Sequence, residues 1–233
     1  MKEVWKETCI LSPSLICLDM CNLEEQVHIL EKSGIKILHV DILDGHFSPS
    51  MPLGLDTVRQ LRARTNLQFD CHVMVTEQDY FVDELLDIGV EQIVFHAETQ
   101  PHIDGMLNRI HAKGVRAGVA LKPSTPLSVL DYILDKCDTV LLMLINPGYA
   151  FVKGEQQVSY AKQKIRDLRS MIHDRGLNTK IEVDGRISPQ NIVDYGETDV
   201  DIFVTGSTCI DRADMENSLK KLNELRMSVI GGK

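Results

Sequence analysis

Short runs rich in β-branched and aliphatic residues alternate with amphipathic segments along the whole chain. The runs fall near residues 10–16, 37–43, 67–75, 92–96, 116–121, 139–144, 180–184 and 201–205, a pattern that predicts repeated strand and helix units feeding a parallel sheet. Between the first two runs, Leu23, Val27 and Leu30 recur at helical spacing over 23–33, and Gly34 supplies the stop. Thr125-Pro126 supplies a cap and a first-turn proline for a helix over 126–136, and Ser188-Pro189 does the same after the seventh run. No linker or low-complexity tract divides the 233 residues, so one domain is expected over 1–233. Eight units in one domain favour a closed (β/α)8 TIM barrel over an open doubly wound sheet.

Composition narrows the functional classes. The chain is 43% hydrophobic and 25% charged, as for a globular protein in water, and no stretch approaches the length of a membrane span. The opening MKEVWKETC has neither the basic flank nor the apolar run of a secretory signal, which makes a cytoplasmic location the expectation. Six cysteines are scattered without a CxxC pair and read as reduced thiols. A net charge of −9 argues against nucleic acid or an anionic membrane as partner, since both reward a basic face. Any anionic substrate must then be gripped by local donors.

In a parallel barrel the reactive groups sit where strands end, which singles out four places. The first run carries Ser12-Pro13-Ser14, the second ends His39-Val40-Asp41, the third includes Asp70-Cys71-His72, and the seventh ends Glu182-Val183-Asp184. Side chains alternate across a strand, so each i, i+2 pair shares a face. If that face is inward, two imidazoles and several carboxylates converge, a donor set that suits Zn2+, Fe2+, Mn2+ or Co2+ better than Ca2+. Structural hydrogen bonding is the competing account of the same residues. His28, His102, His111 and His173 fall in helix-like segments and are expected to face solvent.

These blocks resemble a known family. Ser12-Pro13-Ser14-Leu15, the nine residues from His39 to Phe47, Asp70-Cys71-His72-Val73-Met74-Val75, Asn146-Pro147-Gly148 and Glu182-Val183-Asp184-Gly185 are similar, in the same order, to blocks of the ribulose-phosphate 3-epimerases and the related D-allulose-6-phosphate 3-epimerases. The resemblance implies the ribulose-phosphate-binding type of barrel, with one divalent metal ion on His39, Asp41, His72 and Asp184. It also implies that Asp41 and Asp184 act as acid and base, that Ser14 and His72 lie near the substrate, and that Met74 and Met143 line the site. Leu43 stands where the family usually has another methionine. Asp70 and Glu182 are candidates to orient the two imidazoles. Phosphate is expected on backbone N–H groups at Gly148, Gly185, Gly206 and Ser207. A small sugar phosphate is the implied partner and a homo-oligomer the implied assembly.

Departures cluster at that phosphate region. The family's glycine-rich turn reads Gly148-Tyr149-Ala150-Phe151-Val152-Lys153 here, and Arg186 follows Asp184-Gly185 where the family has a second glycine or a serine. Arg186 and Lys153 are candidates to supply by side chain what the missing glycines supplied by backbone. D-Ribulose 5-phosphate to D-xylulose 5-phosphate is the leading conversion, with D-allulose 6-phosphate to D-fructose 6-phosphate behind it. Two other classes stay in view: a sugar-phosphate-binding barrel that has lost catalysis, and a metal-free synthase or lyase using Lys122 at the end of the fifth run.

Overall fold

The computed structural model describes residues 3–149, 152–196 and 200–231. Eight parallel strands form one sheet: β1 Ile10–Pro13, β2 Ile37–Leu43, β3 Gln68–Met74, β4 Gln92–His96, β5 Arg116–Leu121, β6 Thr139–Met143, β7 Lys180–Asp184 and β8 Ile202–Thr205. They pair in the order β1-β8-β7-β6-β5-β4-β3-β2, and a single parallel bridge from Ser14 to His39 brings the two end strands together. The result is a nearly closed (β/α)8 barrel whose seam lies beside His39.

Among the described residues seven α-helices surround it: α1 Leu23–Lys32, α2 Leu55–Arg62, α3 Gln78–Ile88, α4 Ile103–Ala112, α5 Ala161–Asp174, α6 Pro189–Gly196 and α7 Met215–Gly231. Their apolar stripes pack on the outward faces of the strands in one continuous core, from Leu30 and Val58 to Leu168 and Leu219. Among the described residues no helix is long and apolar enough to cross a membrane. His102, His111 and His173 are exposed as expected, whereas His28 is half-buried, with Nε2 3.0 Å from the Arg64 carbonyl.

The helix expected over 126–136 is instead two short 3-10 turns, Leu127–Leu130 and Leu134–Lys136. Between the two turns Ile133 leaves helical geometry, with φ −132° and ψ −8°. Arg175, just past the end of α5, takes the Asp131 carbonyl oxygen at 2.7 Å and also reaches the Asp131 carboxylate. Leu130, Ile133 and Leu134 are buried all the same, so the helical spacing seen in the sequence is a packing pattern without a continuous helix.

Inside the barrel the side chains form layers. Val4 and Trp5 plug the bottom against Ile10, Ile37 and Ile202, with Trp5 Nε1 donating to Gln68. Above them the interior is divided. Val94, Ala120, Leu141, Met143 and Ile145 make an apolar half, while β2, β3 and β7 bring His39, Asp70 and Glu182, all buried, to the other half. This polar half opens upward onto the C-terminal ends of the strands.

Candidate active site

Register decides what meets. Asp41 on β2 lies level with His72 on β3, and Met143 on β6 lies level with Asp184 on β7. One donor atom from each of His39, Asp41, His72 and Asp184 lies within 4.8 Å of the others. His39 Nε2 is 3.4 Å from Asp41 Oδ1, His72 Nδ1 is 3.5 Å from the same oxygen, and His72 Nδ1 is 3.8 Å from Asp184 Oδ2. Both nitrogens are buried and neither has a hydrogen-bond partner among the described residues. Two orphaned imidazole nitrogens and two carboxylates facing one point are the donor set of a divalent transition-metal site, so the residues fit the ion that the sequence implies.

The electrostatics agree. Burial alone would raise the Asp41 carboxyl and lower the His39 imidazole, but their mutual attraction reverses both: Asp41 is held well below the usual carboxylate range, and His39 well above that of an imidazole. Asp184 moves the other way, pushed up by burial and then by the charge of Asp41. The cluster carries a surplus of negative charge that a cation or an extra proton must offset.

Three of the four clustered side chains have supports of their own. Ser14 Oγ donates to Asp41 Oδ2 at 2.6 Å across the seam. His39 Nδ1 hydrogen-bonds Asp70 Oδ2 at 3.1 Å and lies 3.2 Å from Glu182 Oε1. Asp70 is fixed in turn by Gln92 Nε2 at 2.8 Å. Burial, and next the Asp70 charge, pushes the Glu182 carboxyl well above its usual range. Asp70 and Glu182, read in the sequence as orienting the two imidazoles, therefore both serve His39. His72 is held by a residue the strand-end reading passed over: His96, at the end of β4, brings its Nε2 to 3.0 Å from His72 Nε2. The available signal was that the fourth run, like the seventh, ends on an ionisable side chain.

Asp44 explains the loop that follows β2. Partial burial pushes its carboxyl up, but the N–H groups of Thr76, Phe47 and His46 and the Thr76 hydroxyl outweigh that and bring it to about 2. The same bonds tie the end of β2 to the end of β3.

A cavity opens beside the four-residue cluster, with Ser14, Asp41, Met74, Met143 and Asp184 on its walls and Leu43 in the place of a further methionine. Its outer rim includes Gly148, Arg186, Gly206 and Ser207. His72 and Gly185 are not on the wall. A Cβ at Gly185, φ 117°, would come within 2.9 Å of the Ile145 backbone nitrogen, so this glycine serves a close approach of two loops. At Gly148, φ 79°, a Cβ would lie 1.9 Å from Ser48 Oγ. Arg186 has φ 52°, the left-handed region that glycine adopts freely, and its guanidinium donates to the Val152 carbonyl at 2.9 Å. Lys153 is exposed, and Ala150 and Phe151 lie outside the described residues. Lys122 does not reach the carboxylates: its ammonium sits 4.1 Å over the Phe47 ring.

The barrel thus gathers two carboxylates and two imidazole nitrogens at the top of its strands, beside a cavity. The comparisons give the class, a carbohydrate-phosphate epimerase and so an isomerase. The profile of the ribulose-phosphate 3 epimerase family matches residues 10–210, and the chain belongs to that family. It is 36% identical over 217 residues to the chloroplastic ribulose-5-phosphate-3-epimerase of Arabidopsis thaliana, covering 92% of this chain and 76% of that one. It is 33% identical over 218 residues to the ribulose-phosphate 3-epimerase of Escherichia coli strain K12, covering 93% and 94%. Among solved structures, KGPDC from Streptococcus mutans superposes with a TM-score of 0.72 at 10% identity over 96% of this chain and 99% of that one. The 3-hexulose-6-phosphate synthase of Salmonella typhimurium superposes with a TM-score of 0.64 at 16% identity over 93% and 99%. At these identities the structural matches speak for the barrel alone.

Proposed function

We propose that the chain is a metal-dependent ketose-phosphate 3-epimerase that interconverts D-ribulose 5-phosphate and D-xylulose 5-phosphate. The observation that carries this reading is the convergence of Asp41 and Asp184 with two orphaned imidazole nitrogens at one point beside a cavity. Inverting a carbon next to a ketone requires a proton to leave one face and another to arrive on the opposite face, so two acid/base groups must flank a planar enediolate. Asp41 and Asp184, from β2 and β7, supply the pair. One takes the C3 proton while the other delivers its own, and their roles exchange in the reverse direction.

His39, Asp41, His72 and Asp184 would hold the divalent ion, which when bound acts as a Lewis acid toward the negative charge developing on the substrate oxygens. Ser14, held against Asp41, keeps that carboxylate oriented. Met74, Met143 and Leu43 give the reacting carbon an apolar wall that excludes water. The phosphate end points to the rim, where Gly148, Gly206, Ser207 and the Arg186 guanidinium are its proposed contacts. Gly185 supports this rim through its packing on Ile145.

The deciding experiment incubates purified protein with ribulose, allulose and shorter ketose phosphates in D2O and follows product and C3 deuterium by NMR. The expected result is inversion at C3 with solvent deuterium incorporated, fastest for ribulose 5-phosphate. Faster turnover of allulose 6-phosphate would move the assignment to the hexulose substrate. No exchange and no product with any of them would overturn it.

A further inference from the structure

His72 is the one imidazole in the cluster with no carboxylate behind it. Its Nε2 faces His96 Nε2 at 3.0 Å, and the two rings lie 5.1 Å apart between centroids. Two imidazole nitrogens in contact share one proton, and the rest of the chain of contacts decides where it sits. His96 Nδ1 lies 2.8 Å from Glu98 Oε2, on the turn directly after β4. The other Glu98 oxygen accepts the Lys122 N–H at 2.7 Å and the Thr125 hydroxyl. A carboxylate so engaged accepts only, so His96 Nδ1 carries a hydrogen and His96 Nε2 presents a lone pair. His72 must then donate from Nε2, which leaves its Nδ1 unprotonated and facing Asp41 and Asp184. That nitrogen has no hydrogen-bond partner among the described residues, as this tautomer requires.

The anchor is itself held. Phe47 packs on the His96 ring at 4.6 Å, Asp44 fixes the Phe47 N–H, and the Lys122 ammonium sits over the Phe47 ring. The His96 carbonyl accepts Gln78 Nε2 at 2.9 Å, which steadies the strand end. His39, by contrast, is turned the other way round: Asp70 accepts from its Nδ1 and Nε2 faces the cluster.

We propose that His96, backed by Glu98, is a positioning residue that locks His72 in the tautomer presenting Nδ1 to the ion, and thereby sets the affinity of the site for a divalent metal. The proposal rests on the metal-dependent reading above, and it assigns the two histidine ligands to separate supports, Asp70 and Glu182 for His39 and His96 for His72. Because an imidazole ligand's outer partner fixes its orientation and basicity, loss of that partner costs roughly 10- to 100-fold in metal affinity.

The test titrates metal-free protein with Zn2+ and with Mn2+ against a competing chelator, for wild type, His96→Leu, His96→Gln and Glu98→Ala. In parallel, 15N imidazole NMR of the metal-free proteins reads the His72 tautomer. His96→Leu should weaken both ions by roughly 10- to 100-fold and release His72 from a single tautomer. His96→Gln, whose amide oxygen can take the place of Nε2 as acceptor, should keep most of the affinity, and Glu98→Ala should fall between. Unchanged affinity in His96→Leu and Glu98→Ala, or an equal loss in His96→Gln and His96→Leu with the His72 tautomer unaltered, would overturn the proposal. A wild-type protein that binds neither ion would sink the metal reading itself. The tautomer measurement would still decide whether His96 controls His72, because it is made without metal and also serves if His96→Leu folds poorly and only Glu98→Ala can be studied.

Discussion

Ser14 Oγ donates to Asp41 Oδ2 at 2.6 Å, and the bond spans the seam where β1 meets β2. The same two elements therefore close the barrel and orient one member of the proposed proton-transfer pair. A hydrogen bond to a charged group is worth about 1.5–3 kcal/mol, or roughly 10- to 100-fold in rate if it is felt fully in the transition state. Ser14→Ala should lower kcat at least about tenfold, with bound metal retained on elemental analysis. A variant with full metal and wild-type kcat would show that the bond serves the seam alone.

The strands could be read from the chain because each is apolar enough to be buried on both faces. β2, β4, β5 and β7 begin and end where the hydrophobic runs do. The metal-type cluster was legible for a related reason, since i, i+2 pairs at strand ends must share a face. The break in the helix after β5 was not. Ile133 leaves helical geometry where Arg175, forty-four positions from Asp131, meets the Asp131 carbonyl, and no local pattern announces either feature. His96 escaped in the same way, because its partner is twenty-four positions away and only the register of β3 on β4 brings the rings together. Assigning Asp70 and Glu182 to two imidazoles failed for want of the same information.

Asp44 should leave a signature in acid. Its folded carboxyl is depressed to about 2 from an unfolded value of 3.8, so its contribution to stability is fully present above about pH 4 and is lost as pH falls through about 2. The gap in thermal midpoint between wild type and Asp44→Asn should stay constant from pH 7 to pH 5 and narrow steadily from pH 4 downward. A gap independent of pH over that lower range would mean that the loop does not depend on the charge.

Arg186 joins a strained backbone to a place on the cavity rim. Arg186→Gly relieves a left-handed conformation costing about 1 kcal/mol and removes the guanidinium, so stability and function should separate. The thermal midpoint should hold or rise while KM for the phosphorylated substrate increases by roughly tenfold, the worth of one charge-assisted hydrogen bond. An unchanged KM would leave Arg186 as a clasp for the Val152 carbonyl and nothing more.

Asp41 on β2 and Asp184 on β7 approach the same His72 nitrogen, at 3.5 and 3.8 Å, and an inversion needs one group for each face of the enediolate. Replacing either by Asn keeps its size and one oxygen donor but removes the transferable proton, so epimerisation should fall by roughly 10²-fold or more. Both are also metal ligands in the proposed site, so metal content must be measured on each variant before the rate is interpreted. In variants that keep the ion, the two should differ in kind when studied from one substrate epimer. The variant lacking the group that removes the proton should show neither exchange nor product. The variant lacking only the group that delivers it should still wash deuterium into C3 of unreacted substrate without inverting the centre. Starting from the opposite epimer, the two behaviours should trade places. A metal-loaded Asn variant at either position that epimerises at the wild-type rate would end the assignment of that residue.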